Sequence, residues 1–313
     1  MSEPALHTVT RTTGANEALK TGEVLPRGFR FDFEEVPVLV QAFRRMVRGL
    51  EFDVSEMALT TYLVAKAHGV KFTAVPVFLV RGFHHGAIQV LAGSHVRSPR
   101  DLEGRKVGVN RGYTVTTGVW ARAILQQEHG VELSRVTWVL SGDEHVAEYQ
   151  PPANVVPAGS GRTLEDLLRS GELDAVVGAD LDADDVIPLL PGPVEAGFAA
   201  LQDRGLYPIN HLVVVKDELL AARPELAADV FDAFARAKDL YVDRLRRGEV
   251  TTPADRMYLR VMETTGADPL PYGIEPNRKV LEDLVRTAVD QRILDATVDL
   301  EHVFAPATRD LTA

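Results

Sequence analysis

The 313-residue chain contains no cysteine. That excludes disulfides, thiolate nucleophiles, iron–sulfur clusters and Cys-ligated zinc together. Positive charge is also in short supply, since 34 basic and 45 acidic side chains leave a formal net charge of −11. A general binder of nucleic acid or of an anionic membrane needs a basic face, so neither partner is expected. Any anion must then be held by local positive charge. The N-terminal stretch has no apolar run of signal-peptide length, and no segment approaches the roughly 18 residues of a membrane span. The expected location is therefore the cytoplasm. Phosphate-loop, complete GxGxxG, GxSxG and HExxH signatures are all missing, and there is no internal repeat.

What is present is an ordinary globular composition, 45% hydrophobic and 25% charged, over a length that suggests two lobes. Short β-branched runs alternate with helical patterns, which predicts an α/β fold with largely parallel strands. Strands are expected at His7–Arg11, Arg30–Phe33, Phe52–Ser55, Phe72–Val80, Ala87–Ala92, Lys106–Asn110, Arg135–Leu140, Ala175–Gly178 and His211–Lys216. Helices are expected at Val36–Val47, Glu56–Ala67, Val115–Gln127, from Pro224 to Arg246, and over Tyr272–Leu294. Crossovers near Ser94–Asn110 and Tyr207–Lys216 imply a discontinuous first lobe, residues 1–97 with 208–313, and a second lobe, 98–207, with a ligand cleft between them.

The densest chemical cluster is Val80-Arg-Gly-Phe-His-His-Gly, where Arg81, His84 and His85 follow an apolar strand. The histidine pair alone reads as surface residues after a hairpin, and the adjoining arginine turns it toward anion handling. A second cluster runs through Arg111, Tyr113, Thr114, Thr116 and Thr117 into a helix start. Free N–H groups and the helix dipole make such a turn a carboxylate cradle, although threonine N-capping explains it without a ligand. Arg11, Asp32 and the Ser55-Glu56 pair each lie at a strand end, where open α/β sheets collect ligands. Ser55 also suits a helix N-cap with Glu56 in the first turn. His211 sits at the second crossover, facing the cleft or buried in the core. Asp180, Asp182 and Asp184 imitate a calcium loop, but Asp185 and Pro191 occupy the positions that need Gly and Glu, so a solvated turn is expected. The Gly159-Ser160-Gly161 turn reads as a simple loop.

Taken together, Phe78-Leu-Val-Arg-Gly-Phe-His-His, Tyr113-Thr-Val-Thr-Thr-Gly-Val-Trp, Tyr207-Pro-Ile-Asn-His and Asp268-Pro-Leu-Pro-Tyr-Gly-Ile-Glu-Pro-Asn-Arg resemble the 4,5-dihydroxyphthalate decarboxylase family, in the family's order. The resemblance implies the two-lobed, type II periplasmic-binding-protein fold with a helical C-terminal region, used as an enzyme. It also implies non-oxidative decarboxylation of a hydroxylated aromatic acid. Arg81 and His85 match the family pattern, whereas His84 stands where an arginine is expected, which weakens the grip on one carboxylate. The expected roles are His85 as proton donor, with His84 and His211 as alternatives, and Glu56 or Asp32 as acceptor. Arg81, Arg111, Arg11, Ser55 and the Tyr113–Thr117 turn would hold the substrate. No cofactor is expected; two or three histidines with a carboxylate could bind zinc or manganese as a minor alternative, but no local spacing demands it. The alternatives are a non-catalytic carboxylate-binding protein, or a cyclisation, dehydration or rearrangement of a cyclic acid on the same scaffold. The helical C-terminal third offers a homodimer face, or equally a surface that packs on the first lobe.

Overall fold

A computed structural model describes residues 3–159 and 161–313. Met1 and Ser160, the centre of the expected Gly159–Gly161 loop, lie outside them. The chain divides into two compact units. The first holds the chain up to Arg81, Ile209–Glu282 and Val298–Ala313, and the second holds Gly82–Pro208 and Asp283–Thr297.

The first unit is built on strands β1 (Ala5–Val9), β2 (Arg30–Phe33), β3 (Val54–Ala58), β4 (Phe72–Arg81) and β11 (Ile209–Lys216), in the spatial order β2-β1-β3-β11-β4. The second is built on β5 (Ile88–Leu91), β6 (Lys106–Val109), β7 (Thr137–Leu140), β8 (Val155–Pro157), β9 (Ala175–Val177) and β10 (Val186–Pro188), in the order β10-β5-β9-β6-β7-β8. The first unit carries helices α1 (Glu17–Lys20), α2 (Leu39–Gly49), α3 (Leu59–Ala67), α7 (Asp217–Ala222), α8 (Leu226–Arg246), α9 (Pro253–Thr265) and α11 (Leu300–Val303). Helices α4 (Thr116–Gln127), α5 (Leu164–Arg169) and α6 (Pro193–Arg204) belong to the second, and α10 (Arg278–Asp290) runs from the first into the second. Among the described residues no helix is long and apolar enough to cross a membrane.

Several sequence expectations change here. Both sheets are largely parallel, as expected, but each holds one reversed strand: β11 is antiparallel to β3 and β4, and β5 is antiparallel to β9 and β10. An apolar run does not encode strand direction, since the same residues bury equally well either way. Gly82 opens the second unit, ahead of the expected boundary at 97/98, because β5 pairs within the second sheet. His84 and His85 consequently share a unit with the Tyr113–Thr117 turn.

Ser55 and Glu56 do not start a helix. They lie inside β3, which is buried at all five positions and hydrogen-bonded between β1 and β11. Pairing on both sides overrides a local pattern that reads equally well as helix. The expected Tyr272–Leu294 helix is α-helical only over Arg278–Asp290, after the buried Tyr272–Ile274 run and a 3₁₀ turn at Glu275–Asn277, and Pro224 lies in a turn ahead of α8. Beyond the expected acidic turn, the chain forms β10 and α6, which the sequence reading does not place.

Candidate active site

In the first unit β3 is parallel to β1, and β11 runs antiparallel between β3 and β4, so the carboxyl ends of β1, β3 and β4 meet the amino end of β11. That edge is where open α/β sheets gather ligands. Glu56, with no solvent exposure, projects from β3, and its Oε1 lies 2.6 Å from His211 Nδ1 on β11. Its Oε2 accepts the Arg11 backbone N–H at 2.8 Å. A carboxylate on Nδ1 takes the hydrogen there and leaves Nε2 as the nitrogen able to exchange a proton. The Phe43 ring sits edge-on to the imidazole at 5.2 Å and fixes its plane. Ser55 Oγ is spent on the Glu56 carbonyl at 2.7 Å.

Arg11, whose N–H meets Glu56, also lines a cavity of about 680 Å³, together with Arg81, Tyr241, Arg244, Asp255 and Tyr258 among others; Glu56 and His211 are not on its wall. That volume is in the size class of small-molecule sites. Arg81, at the end of β4, donates Nη1–H to Asn277 Oδ1 at 2.8 Å. The acids on the wall are already engaged. Asp255 accepts from the Tyr241 hydroxyl at 2.5 Å and from the Thr251 and Thr252 N–H groups at 2.9 and 2.8 Å. Burial pushes the Asp255 carboxyl up, but those donors outweigh it and hold it at about 2. Burial raises the Tyr258 hydroxyl to about 12, so it stays a phenol. Gly14 is dictated by the same wall, because a Cβ there would lie 2.1 Å from Tyr241 Cε2.

The second unit treats its candidates differently. His85 is buried, with Nε2 at 3.1 Å from Glu128 Oε2, and Glu128 also pairs with Arg204. Burial pushes the Glu128 carboxyl up, yet the bonds from His85 and Arg204 leave it lowered. The void beside His85 is only about 10 Å³, barely the space of one water. His84 is buried too.

At the start of α4 the expected cradle holds a carboxylate of the chain itself. Glu144 accepts the Tyr113 N–H through Oε1, and through Oε2 the Thr114 N–H at 3.3 Å and the Thr114 hydroxyl at 2.6 Å. The helix caps on Val115, without a side-chain cap bond, so threonine capping is not what the turn does. Behind it Arg122 is fully buried. Its guanidinium lies 3.8 Å over the Tyr113 ring, with Nη2 on the Tyr113 carbonyl and Nε on Gln291 Oε1 at 2.6 and 2.8 Å. Burial lowers the Arg122 pKa. Arg111 takes a positive φ of 68° and gives its N–H to Ser141 Oγ at 2.8 Å. Thr116 and Thr117 form the first turn of α4.

The structure thus joins Glu56, His211, Arg11 and Ser55 at the strand ends of one sheet, with Arg11 and Arg81 on the cavity wall. Asp32 stands apart on edge strand β2, its side chain 65% exposed and 3.9 Å from Arg30. Sequence reasoning missed Glu144, Arg122, Tyr241, Arg244, Tyr258 and Asn277. Asn277 lies inside the Asp268–Arg278 motif of the family resemblance, while Glu144 carries no local signal. Among the described residues no cluster of three or more His, Asp or Glu is arranged to hold a metal ion.

Solved structures sharing this architecture define its class, a periplasmic-binding-protein-like fold. They include the periplasmic aliphatic sulphonate binding protein SsuA from Escherichia coli, 14% identical with a TM-score of 0.53, covering 98% of this chain and 99% of that one. The desulfurization enzyme DSZB is 16% identical with a TM-score of 0.57, covering 96% of each chain. No protein-family profile matches the chain. A curated 4,5-dihydroxyphthalate decarboxylase of Comamonas testosteroni is 30% identical over 286 residues, 86% of each chain. One of Pseudomonas putida is 38% identical over 146 residues, 44% of this chain and 56% of that one. The chain belongs to the 4,5-dihydroxyphthalate decarboxylase family, enzymes of the carbon–carbon lyase class.

Proposed function

We propose that the chain removes CO2 from a hydroxylated, phthalate-like aromatic acid by protonating the ring carbon that bears the departing carboxylate. The relatives' activity suggests the reaction, and the Glu56–His211 pair at 2.6 Å carries the assignment. His211 in its imidazolium form gives a proton to that carbon while a ring hydroxyl pushes in electron density. The carbon–carbon pair returns to the ring as CO2 departs, and the imidazole recovers a proton from water. One proton is consumed per turnover. Glu56 holds the Nδ1–H and stabilises the imidazolium. Arg11 and Arg81, on the wall of the 680 Å³ cavity, hold carboxylates, with Arg81 able to make a paired, charge-assisted contact.

This reading takes His211 rather than His85 as donor, because its partner Glu56 accepts the N–H of cavity-lining Arg11, whereas the void lined by His85 is only about 10 Å³. It uses no metal or organic cofactor. The test is incubation with 4,5-dihydroxyphthalate and dihydroxybenzoates, following CO2 release and proton uptake. Equimolar CO2, undiminished after chelation, is expected. Tight binding without product would replace the lyase reading by a carboxylate receptor. Loss of turnover on chelation, restored by one metal, would overturn cofactor independence.

A further inference from the structure

We propose that Asn277 is a positioning residue that aims the Arg81 guanidinium at a substrate carboxylate. The proposal rests on the reading that the first unit's cavity takes an aromatic acid. Arginine has a long, rotamer-rich side chain, and placing its planar fork costs conformational entropy unless something in the fold holds it. Arg81 emerges at the end of β4, 8% exposed on the cavity wall, and the side chain that takes its Nη1–H comes from 196 residues further along the chain.

Asn277 can do this because its amide has one orientation. Nδ2 donates to the Pro271 and Gly273 carbonyls, each at 2.9 Å. An amide nitrogen only donates, so those two acceptors fix Nδ2 inward and turn Oδ1 toward Arg81. The loop carrying it is held at both sides. The Gly273 N–H donates to the Pro76 carbonyl of β4 at 2.9 Å, five residues before Arg81, and Tyr272 N–H donates to the Ala313 carbonyl at 2.7 Å. Gly273 adopts φ +102°, and a Cβ there would stand 2.4 Å from the Leu311 carbonyl oxygen, so this crossing of two chain segments admits only glycine. The Pro-Tyr-Gly…Pro-Asn run is therefore a rigid bracket whose outward-facing polar atom meets one guanidinium. Tyr258, bonded to the Arg81 main chain, braces the same residue from α9.

The experiment uses the full chain with Asn277→Ala, Asn277→Ser, Arg81→Met and the Asn277→Ala/Arg81→Met double variant. Phthalate and benzoate binding are measured by calorimetry, and phenylglyoxal labelling of Arg81 by peptide mapping with buried Arg122 as the control site. Asn277→Ala should weaken phthalate about tenfold, the scale of one lost charge-assisted contact, and benzoate far less. In the Arg81→Met background the same change should do nothing further. Labelling of Arg81 should rise severalfold with Arg122 unchanged, and Asn277→Ser, which keeps a small polar group, should fall between if the alanine variant folds poorly. Equal weakening of phthalate and benzoate, or an undiminished effect without Arg81, would overturn the proposal. If wild type binds neither acid, the aromatic-acid reading fails by itself, and the positioning role then stands or falls on the labelling.

Discussion

The two units meet a similar requirement, placing positive groups for an anion, and arrive at different states. In the first, three arginines share the wall of a 680 Å³ cavity, one of them bonded through its N–H to the Glu–His pair, while Asp255 on that wall is satisfied by hydroxyl and N–H donors. In the second, the donors at the start of α4 are spent on Glu144, and the histidine nearest a void is tied to Glu128. The lesson is that a motif capable of holding a carboxylate says nothing about whose carboxylate it holds. A cradle filled by the chain's own acid contributes to the fold, and a cavity whose acids are already satisfied is open to a ligand.

The sharpest way to break this contrast is through the histidines. His211→Ala should lower kcat on a confirmed aromatic acid by about 10²–10⁴-fold, the usual contribution of a positioned acid or base, and Glu56→Gln should follow in the same direction. His85→Ala should leave kcat within about tenfold on the same principle. Equal losses would move the chemistry to the second unit.

Acid titration probes the cavity wall. Because the folded Asp255 carboxyl sits at about 2, below its unfolded value, its contribution to stability is complete above about pH 4 and fades as the pH falls toward 2. Asp255→Asn should therefore cost about 2 kcal/mol at neutral pH, with the gap to wild type closing in acid. Denaturant melts at pH 7, 4 and 2.5 read this directly, and a gap that stays constant would remove Asp255 from the argument.

The smallest effect concerns the filled cradle. Glu144→Gln keeps one acceptor and loses the charge, so it should cost about 1 kcal/mol of stability and leave KM within about twofold, as surface-side losses of this size do. A KM that falls severalfold would show the turn to be a substrate subsite normally contested by Glu144.

Much of the framework was legible in one dimension. Strands such as Arg30–Phe33 and Phe72–Arg81, and helices such as Thr116–Gln127, follow from short apolar runs and helical spacing. Ser55 and Glu56 misled, because Val-Ser-Glu-Met-Ala becomes a strand only when neighbours on both sides supply its hydrogen bonds. Glu56 and His211 were each picked out as candidates, but nothing in the sequence brought together two residues 155 positions apart. The motif around Asn277 was equally visible, and its target was not.

Composition and spacing alone carry the alternating α/β pattern, the absence of thiol chemistry, the acidic balance and the family resemblance. These are properties of composition, periodicity and short-range order, which each segment carries alone. Tertiary structure decided strand direction, the division at Arg81, and which charges are spent and which face a cavity. Pairing of side chains depends on distances that only the folded backbone sets, and a hydrogen bond between residues 155 positions apart leaves no trace in the order of the letters.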